Sequence, residues 1–259
     1  PSSSRVEISA GLTEAPNERT LKRIIAELVQ NGDVIVEGKG KATRYSLSAQ
    51  AHLMMPLNID TYFIKDIDER KVQESFNFRL IREVLPKVTL FTPDEKIRLE
   101  SAHKVFLANM EALSDLEYRK EMERLGVDLS WKSSQIEGNT YSLLETERLL
   151  KEKQTAQGKT KEEAVMLLNH KDALDFILDN PDYLKELSVR RLEDIHSILT
   201  KELGVGNGIR KRRVGITGTN YRPLDNEFQI REALEDTCQL INGKENVFEK
   251  ALLILVLLS

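Results

Sequence analysis

Apolar residues recur at every third or fourth position along most of the chain, a spacing that is typical of amphipathic helices. In Glu18–Gln30, Leu21 and Ile25 share one face, while Asn17 and Gly32 supply start and stop signals. The same pattern predicts further helices over 78–84, 92–125, 143–150, 161–180, 189–203, 228–241 and 248–258. The chain is therefore expected to be mainly helical.

Three of these helices begin at explicit capping signals. Thr92 precedes a proline and two acids, and a capping-box pattern opens at Ser142 and again at Thr160. We expect the long helix that starts at Thr92 to be broken once and to end at Gly126, because glycine commonly terminates helices.

Short runs of β-branched or alternating residues predict strands in three places. They are Val34–Val36, Thr43–Leu47 and Tyr62–Ile64. Ala49–Pro56 has the composition of a linker. We therefore divide the chain into an N-terminal module over 1–48, connecting elements over 49–91, and a helical domain over 92–259.

The N-terminal module has the order helix, strand, glycine-lysine turn, strand. This order resembles the recognition helix and wing of the winged helix-turn-helix family, with the earlier helices shortened or missing. Asn17–Arg44 contains six cations and four anions. The cations lie on the helix face away from the apolar stripe or at the wing. These candidate DNA contacts are Arg19, Lys22, Arg23, Lys39, Lys41 and Arg44. The alternatives are a protein-docking module or charges that are simply solvated.

Composition excludes several classes of protein. The 259 residues include 38 Lys and Arg and 42 Asp and Glu, which gives a formal net charge of -4. A basic protein that binds nucleic acid along its whole length is therefore not expected. Cys238 is the one cysteine, which excludes an intramolecular disulfide and fits a reducing, cytoplasmic setting. Four scattered histidines, His52, His103, His170 and His196, form no local metal motif.

No signal peptide opens the chain, and Ala251–Leu258 is too short an apolar run to span a bilayer, which takes about 20 residues. No membrane partner is therefore expected. Since a terminal apolar helix without a following cap leaves its sides uncovered, we expect further sequence downstream.

The segment between the helices predicted over 189–203 and 228–241 is rich in glycine. Five of the chain's 13 glycines fall there: Gly204, Gly206, Gly208, Gly215 and Gly218. Strand-like residues on both sides of Gly218 predict a glycine-hinged β-hairpin over 210–223. Loops on rigid helical scaffolds are common places for function.

Two sequence features together resemble one family. Ser133-Ser134-Gln135-Ile136-Glu137-Gly138 matches (S/T)xxxE(G/N), the inhibitory motif of Fic-domain proteins. Arg213–Pro223 looks like the family's β-hairpin flap, and the helices between the two follow the family's order. The resemblance covers about 132–259, and winged modules precede Fic domains in many bacterial members.

The resemblance implies an autoinhibited protein adenylyltransferase, which transfers AMP from ATP to a hydroxyl group of a target protein. The inhibitory helix lies near 130–138, where Ser133 and Glu137 share one face, one turn apart. In the family the glutamate pairs with an arginine that would otherwise bind the γ-phosphate, so Glu137 blocks productive ATP binding. Gly138 lets the chain turn directly afterwards. The alternative is an ordinary helix end with a solvated glutamate.

The flap in this family holds the target segment as an added strand, and its tip covers the nucleotide. By position, the ATP-contacting residues implied here are Thr217, Gly218, Thr219 and Asn220. The alternative is a surface hairpin without a ligand.

The family signature HxFx(D/E)GNGRxxR is absent from these 259 residues. It would supply the catalytic histidine, the acid that holds Mg²⁺, and the phosphate cradle. We therefore assign no catalytic residue and no metal ligand, expect these 259 residues alone to be inactive, and interpret His170 and His196 as structural histidines.

The sequence thus predicts a mainly α, Fic-type helical bundle with a β-hairpin flap, preceded by a small winged helix-turn-helix module. ATP and Mg²⁺ are the cofactors implied for the complete protein, and a target protein is the implied partner on the flap. The alternative function is a winged-helix DNA-binding transcriptional regulator with a helical sensor or dimerisation body. The sequence leaves open whether the chain forms a homodimer.

Overall fold

A computed structural model describes residues 2–70, 73–206 and 208–258, and most of them are helical. The chain groups into two units. The smaller one contains residues up to 70 together with 83–90 and Gly218–Asn220, and the larger one contains the other described residues. The expectation of a mainly α fold is confirmed.

The smaller unit combines four helices with one small sheet. Its main elements are α1 (Arg5–Gly11), α2 (Glu18–Gln30), β1 (Val34–Glu37), β2 (Arg44–Leu47), α3 (Ala49–Met54) and α4 (Ile59–Ile64). The Asn17 side chain accepts the backbone N–H of Thr20 at 2.9 Å, which caps α2 as predicted. Leu21 and Ile25 are the buried residues of that helix.

The two strands predicted in the N-terminal module form an antiparallel pair, in which Val34 lies opposite Leu47 and Glu37 opposite Arg44. Gly38, at the turn, has φ +77°, and a Cβ there would lie 2.4 Å from the Ala42 carbonyl oxygen. Only glycine fits this turn without displacing the backbone.

Two expectations for the connecting segment are wrong. Tyr62–Ile64 is not a strand but the end of α4, because the Asn58 side chain accepts the Thr61 N–H at 2.9 Å and starts a helix. Ala49–Pro56 is not a plain linker, since Ser48 caps α3 through the Ala51 N–H at 3.1 Å. The helix expected around 78–84 is a π-helical turn over Leu80–Val84.

The larger unit is built from seven helices. They are α5 (Pro93–Glu111), α6 (Asp115–Ile136), α7 (Leu143–Glu152), α8 (Lys161–Asp179), α9 (Val189–Leu199), α10 (Glu227–Gly243) and α11 (Val247–Leu257). Four of them open with a complete capping box, at Thr92, Ser114, Ser142 and Thr160. The two predicted capping boxes are thereby confirmed.

Gly126 does not end a helix, contrary to the sequence prediction. The break falls earlier, at Ser114, and Gly126 lies buried inside α6. A Cβ at Gly126 would lie 3.2 Å from Cε of Lys171, a residue of α8. This glycine therefore serves close helix packing rather than chain reversal.

The face of α6 that packs along α8 is lined by small buried residues at every fourth position. They are Gly126, Ser130 and Ser134. Because their side chains are short, the two helix backbones approach closely. Next to this contact, Tyr141, Leu149, Ala164 and Leu167 form a buried apolar cluster that joins α7 and α8 to the loop after α6.

The predicted β-hairpin over 210–223 is not formed, since the structure of 208–226 contains no paired strands of its own. Instead, the Arg222 N–H donates to the Glu74 carbonyl at 2.8 Å, in a parallel bridge between Ser75 and Arg222. Pro223 has no N–H to give, and glycine weakens a strand. These features explain why the two arms do not form a ladder.

Within the ranges that the structure describes, no helix combines the length and the apolarity that a membrane crossing requires.

Candidate functional site

The C-terminal end of α6 carries the SxxxEG motif and is closed by a Schellman arrangement. Gly138 adopts φ +87°. Its N–H donates to the Gln135 carbonyl at 3.1 Å, and the Asn139 N–H donates to the Ser134 carbonyl at 2.9 Å. The predicted role of Gly138 as the residue that turns the chain is confirmed, and Glu137 is fixed as the helix C-cap.

Ser133 and Glu137 lie one turn apart, as the spacing predicts, and the Glu137 N–H donates to the Ser133 carbonyl at 3.4 Å. Ser133 is half-buried and Glu137 is exposed. Among the described residues, no hydrogen bond or ion pair engages the Glu137 carboxylate. The site therefore presents an unpaired carboxylate on a fixed helix end.

The loop that follows Glu137 is anchored by two buried residues. Asn139 donates through Nδ2 to the Glu163 carbonyl at 2.8 Å and accepts the Tyr141 N–H through Oδ1 at 3.0 Å. Trp131 Nε1 donates to the Tyr141 carbonyl at 2.9 Å, which ties the loop back to α6. Tyr141 is 1% exposed and accepts the Ala156 N–H through its hydroxyl oxygen at 3.3 Å.

Thr140 is held by two oppositely charged residues near the start of α8. Glu163 Oε1 accepts both the N–H of Thr140 at 2.8 Å and its hydroxyl at 2.5 Å. Lys159 Nζ donates to the Thr140 carbonyl at 2.6 Å and to its Oγ1 at 3.0 Å. These contacts among Thr140, Lys159 and Glu163 are called the latch below.

The hydrogen bonds of the latch lower the pKa of its carboxylate. The hydrogen bond from the Thr140 hydroxyl, followed by those from the backbone N–H groups of Thr160 and Thr140, lowers the pKa of Glu163 from 4.5 to about 2. Glu163 is therefore ionised at neutral pH. Sequence reasoning found Glu163 only as a capping-box residue, because nothing in the sequence signals its pairing with a threonine 23 positions earlier.

The glycine-rich loop has its two arms joined by side chains rather than by a strand ladder. Arg213 Nε lies 2.6 Å from Asp225 Oδ2, and Arg210 Nη2 donates to the Leu224 carbonyl at 2.6 Å. Gly218 has φ +83°, and nothing would lie within 4 Å of an added Cβ there. The chain thus turns at Gly218 as predicted, at an open loop tip.

The four residues expected to contact ATP are consecutive in the loop around Gly218. Thr217 belongs to the larger unit, and Gly218–Asn220 group with the smaller unit. Asn220 Nδ2 donates to Asp68 Oδ1 at 3.2 Å. That these four residues contact ATP stays a prediction.

His170 is structural, as expected. Its Nδ1 lies 2.8 Å from the Met166 carbonyl and 3.4 Å from Ser134 Oγ on α6. His196 differs from a buried core histidine, because its side chain is exposed. The described part of the chain contains no group of three or more His, Cys, Asp or Glu residues placed to hold a metal ion.

The candidate DNA contacts of the smaller unit divide into two sets. Lys22 pairs with Glu18 at 2.9 Å and Arg23 with Glu27 at 2.8 Å, both along α2. Arg44 lies opposite Glu37 in the sheet. Within the described ranges, no ion pair is found at Arg44 or at the exposed side chains of Arg19, Lys39 and Lys41.

Comparison with known proteins adds no family assignment: no protein-family model, curated protein or solved structure matches this chain.

Proposed function

We propose that the chain is the regulatory and target-docking part of an autoinhibited Fic-type protein adenylyltransferase, with Glu137 as the inhibitory residue. The observation that carries the proposal is the exposed Glu137 carboxylate, which has no partner among the described residues and lies on a helix end that hydrogen bonds fix. A carboxylate held in this way can receive an arginine that would otherwise bind a terminal phosphate, and it repels the phosphate itself.

The reaction proposed for the complete protein is a nucleotidyl transfer. The oxygen of a target hydroxyl attacks the α-phosphorus of Mg²⁺-bound ATP, and the bond from that phosphorus to the β-bridging oxygen breaks. Pyrophosphate leaves, and the hydroxyl proton passes to the histidine of the family signature. Since these 259 residues do not contain that signature, they provide inhibition and docking rather than the base.

The test uses protein that carries the signature after residue 259, labelled ATP and Mg²⁺. Glu137→Gly and the isosteric Glu137→Gln should both increase self-labelling, because both remove the negative charge. Glu152→Gly is the matched control, since Glu152 is an exposed glutamate at the end of the neighbouring helix α7. No increase for either Glu137 variant, with folding retained, contradicts the assignment.

A second candidate function is DNA binding through the smaller unit, supported by the exposed cations Arg19, Lys39 and Lys41, which form no ion pair within the part of the chain that the structure describes. Three phosphate contacts predict that log K falls against log salt with a slope of about -3. Gel-shift titrations over a salt series measure this slope. Replacing the three cations by alanine should abolish binding, whereas no binding by the unmodified chain at low salt removes this candidate.

A further inference from the structure

Glu163 differs from the other capping-box glutamates in what its second oxygen does. Glu95 uses one oxygen, Oε2, to accept both the N–H and the hydroxyl of its cap residue, Thr92, each at 2.8 Å. Glu163 accepts the Thr160 N–H through Oε2 at 2.9 Å, and its Oε1 accepts the N–H and the hydroxyl of Thr140. Helix capping alone does not require this second contact.

The latch lies immediately beside the residue that the proposed function makes inhibitory. Only Gly138 and Asn139 separate Glu137 from Thr140. The Schellman turn fixes this short segment on the α6 side, and the latch fixes it on the α8 side. Glycine at position 138 leaves the backbone between them free to rotate when one anchor is lost.

The latch is also the charged anchor of the loop. Its hydrogen bonds pair a carboxylate and an ammonium group with one threonine, and charge-assisted bonds are roughly twice as strong as neutral ones. Thr140 is exposed, so solvent or a bound partner can compete for these bonds. The buried anchors at Asn139 and Tyr141 do not offer that access.

We propose that Glu163 is the positioning residue for Glu137, and that opening the latch relieves inhibition. This inference rests on the proposed function. In the closed state, Glu163 and Lys159 hold Thr140 against the start of α8 and keep the Glu137 carboxylate in its blocking orientation. In the open state, Thr140 leaves the start of α8 and the adjoining Asn139 contacts loosen with it, so that the Glu137 carboxylate no longer holds its place.

Hydrogen exchange on the 259-residue chain tests the latch without any nucleotide. In Glu163→Gln and Thr140→Val, the amides of residues 138–142 should exchange about tenfold faster, because charge-assisted bonds are lost. Glu95→Gln is the matched control, since it alters the same type of capping box on α5 and should leave these amides unchanged. Unchanged exchange in both latch variants overturns the latch as an anchor.

Self-labelling of the signature-containing protein tests the coupling to Glu137. Glu163→Gln and Thr140→Val should raise labelling several-fold over the unmodified protein, and neither should raise it further in a Glu137→Gly background. A merely structural loss would lower labelling in both backgrounds, which would overturn the positioning role.

The two failures are distinguishable. If Glu137→Gly itself leaves labelling unchanged, the proposed function fails and the regulatory inference fails with it, while the exchange data report on the latch separately. If Glu137→Gly raises labelling but the latch variants do not, despite faster exchange, only the positioning role of Glu163 is wrong.

Discussion

Replacement of Gly138 by alanine isolates the cost of the left-handed turn that ends α6. Gly138 has φ +87°, and nothing lies within 4 Å of an added Cβ, so the substitution introduces backbone strain without a clash. A non-glycine residue in this region costs about 1 kcal/mol or slightly more. Asparagine tolerates the left-handed region better, so Gly138→Asn should cost roughly half as much.

Urea unfolding followed by tryptophan fluorescence measures this cost in the right place. Trp131 is the only tryptophan and lies on α6 beside the loop that Gly138 begins. With an m-value of about 2 kcal/mol/M, the alanine variant should unfold at about 0.5 M less urea. Gly243→Ala is the control, because Gly243 ends α10 in helical conformation with open space around it.

The control should be neutral or slightly stabilising, since alanine is the better helix former. If Gly138→Ala and Gly138→Asn both unfold at the midpoint of the unmodified chain, the left-handed turn is not needed to end α6. The physical account of the motif's glycine would then be refuted.

Three further predictions concern the loop and the α6–α8 contact. Because the folded pKa of Glu163, about 2, lies below its ordinary 4.5, its contribution to stability is present above pH 5 and is lost as the pH falls towards 2; the stability difference from Glu163→Gln should therefore shrink over that range in urea titrations. Tyr141→Phe should cost about 1 kcal/mol by leaving the Ala156 N–H unpaired, measured in the same way. Gly126→Leu should cost about 2 kcal/mol in calorimetry, because a larger side chain displaces Lys171.

The sequence predicts the helices well where the signals are local. The Asn17 cap and the Thr160 capping box depend on residues three or four positions apart, and both are found in the structure. Apolar spacing within α2 likewise places Leu21 and Ile25 in the interior.

The errors arise where a distant contact decides the outcome. Gly126 carries a stop signal by composition, but a lysine 45 positions later packs over it and the helix continues. The arms of the glycine-rich loop have strand-like residues, yet the Arg222 N–H donates to the Glu74 carbonyl and not to the opposite arm of the loop. The error at Tyr62–Ile64 is an exception with a local cause, because the Asn58 side chain caps a helix through the Thr61 N–H despite the aromatic, β-branched character of that segment.

The candidate site shows the same division. The helix end at Glu137 and the turn at Gly138 follow from a six-residue motif. The latch does not, because Thr140 and Glu163 are joined only by the antiparallel packing of α6 and α8. A single sequence offers no signal for that pair.

The small-residue seam of Gly126, Ser130 and Ser134 has a practical consequence for protein engineering. Because the two helix backbones lie close together, a replacement helix with larger side chains at these positions would not fit. Any chimera that borrows the Glu137 motif for another scaffold must therefore transplant α6 together with α8 and the intervening residues as one cassette. Grafting α6 by itself should give a misassembled product even when every residue of the motif is preserved.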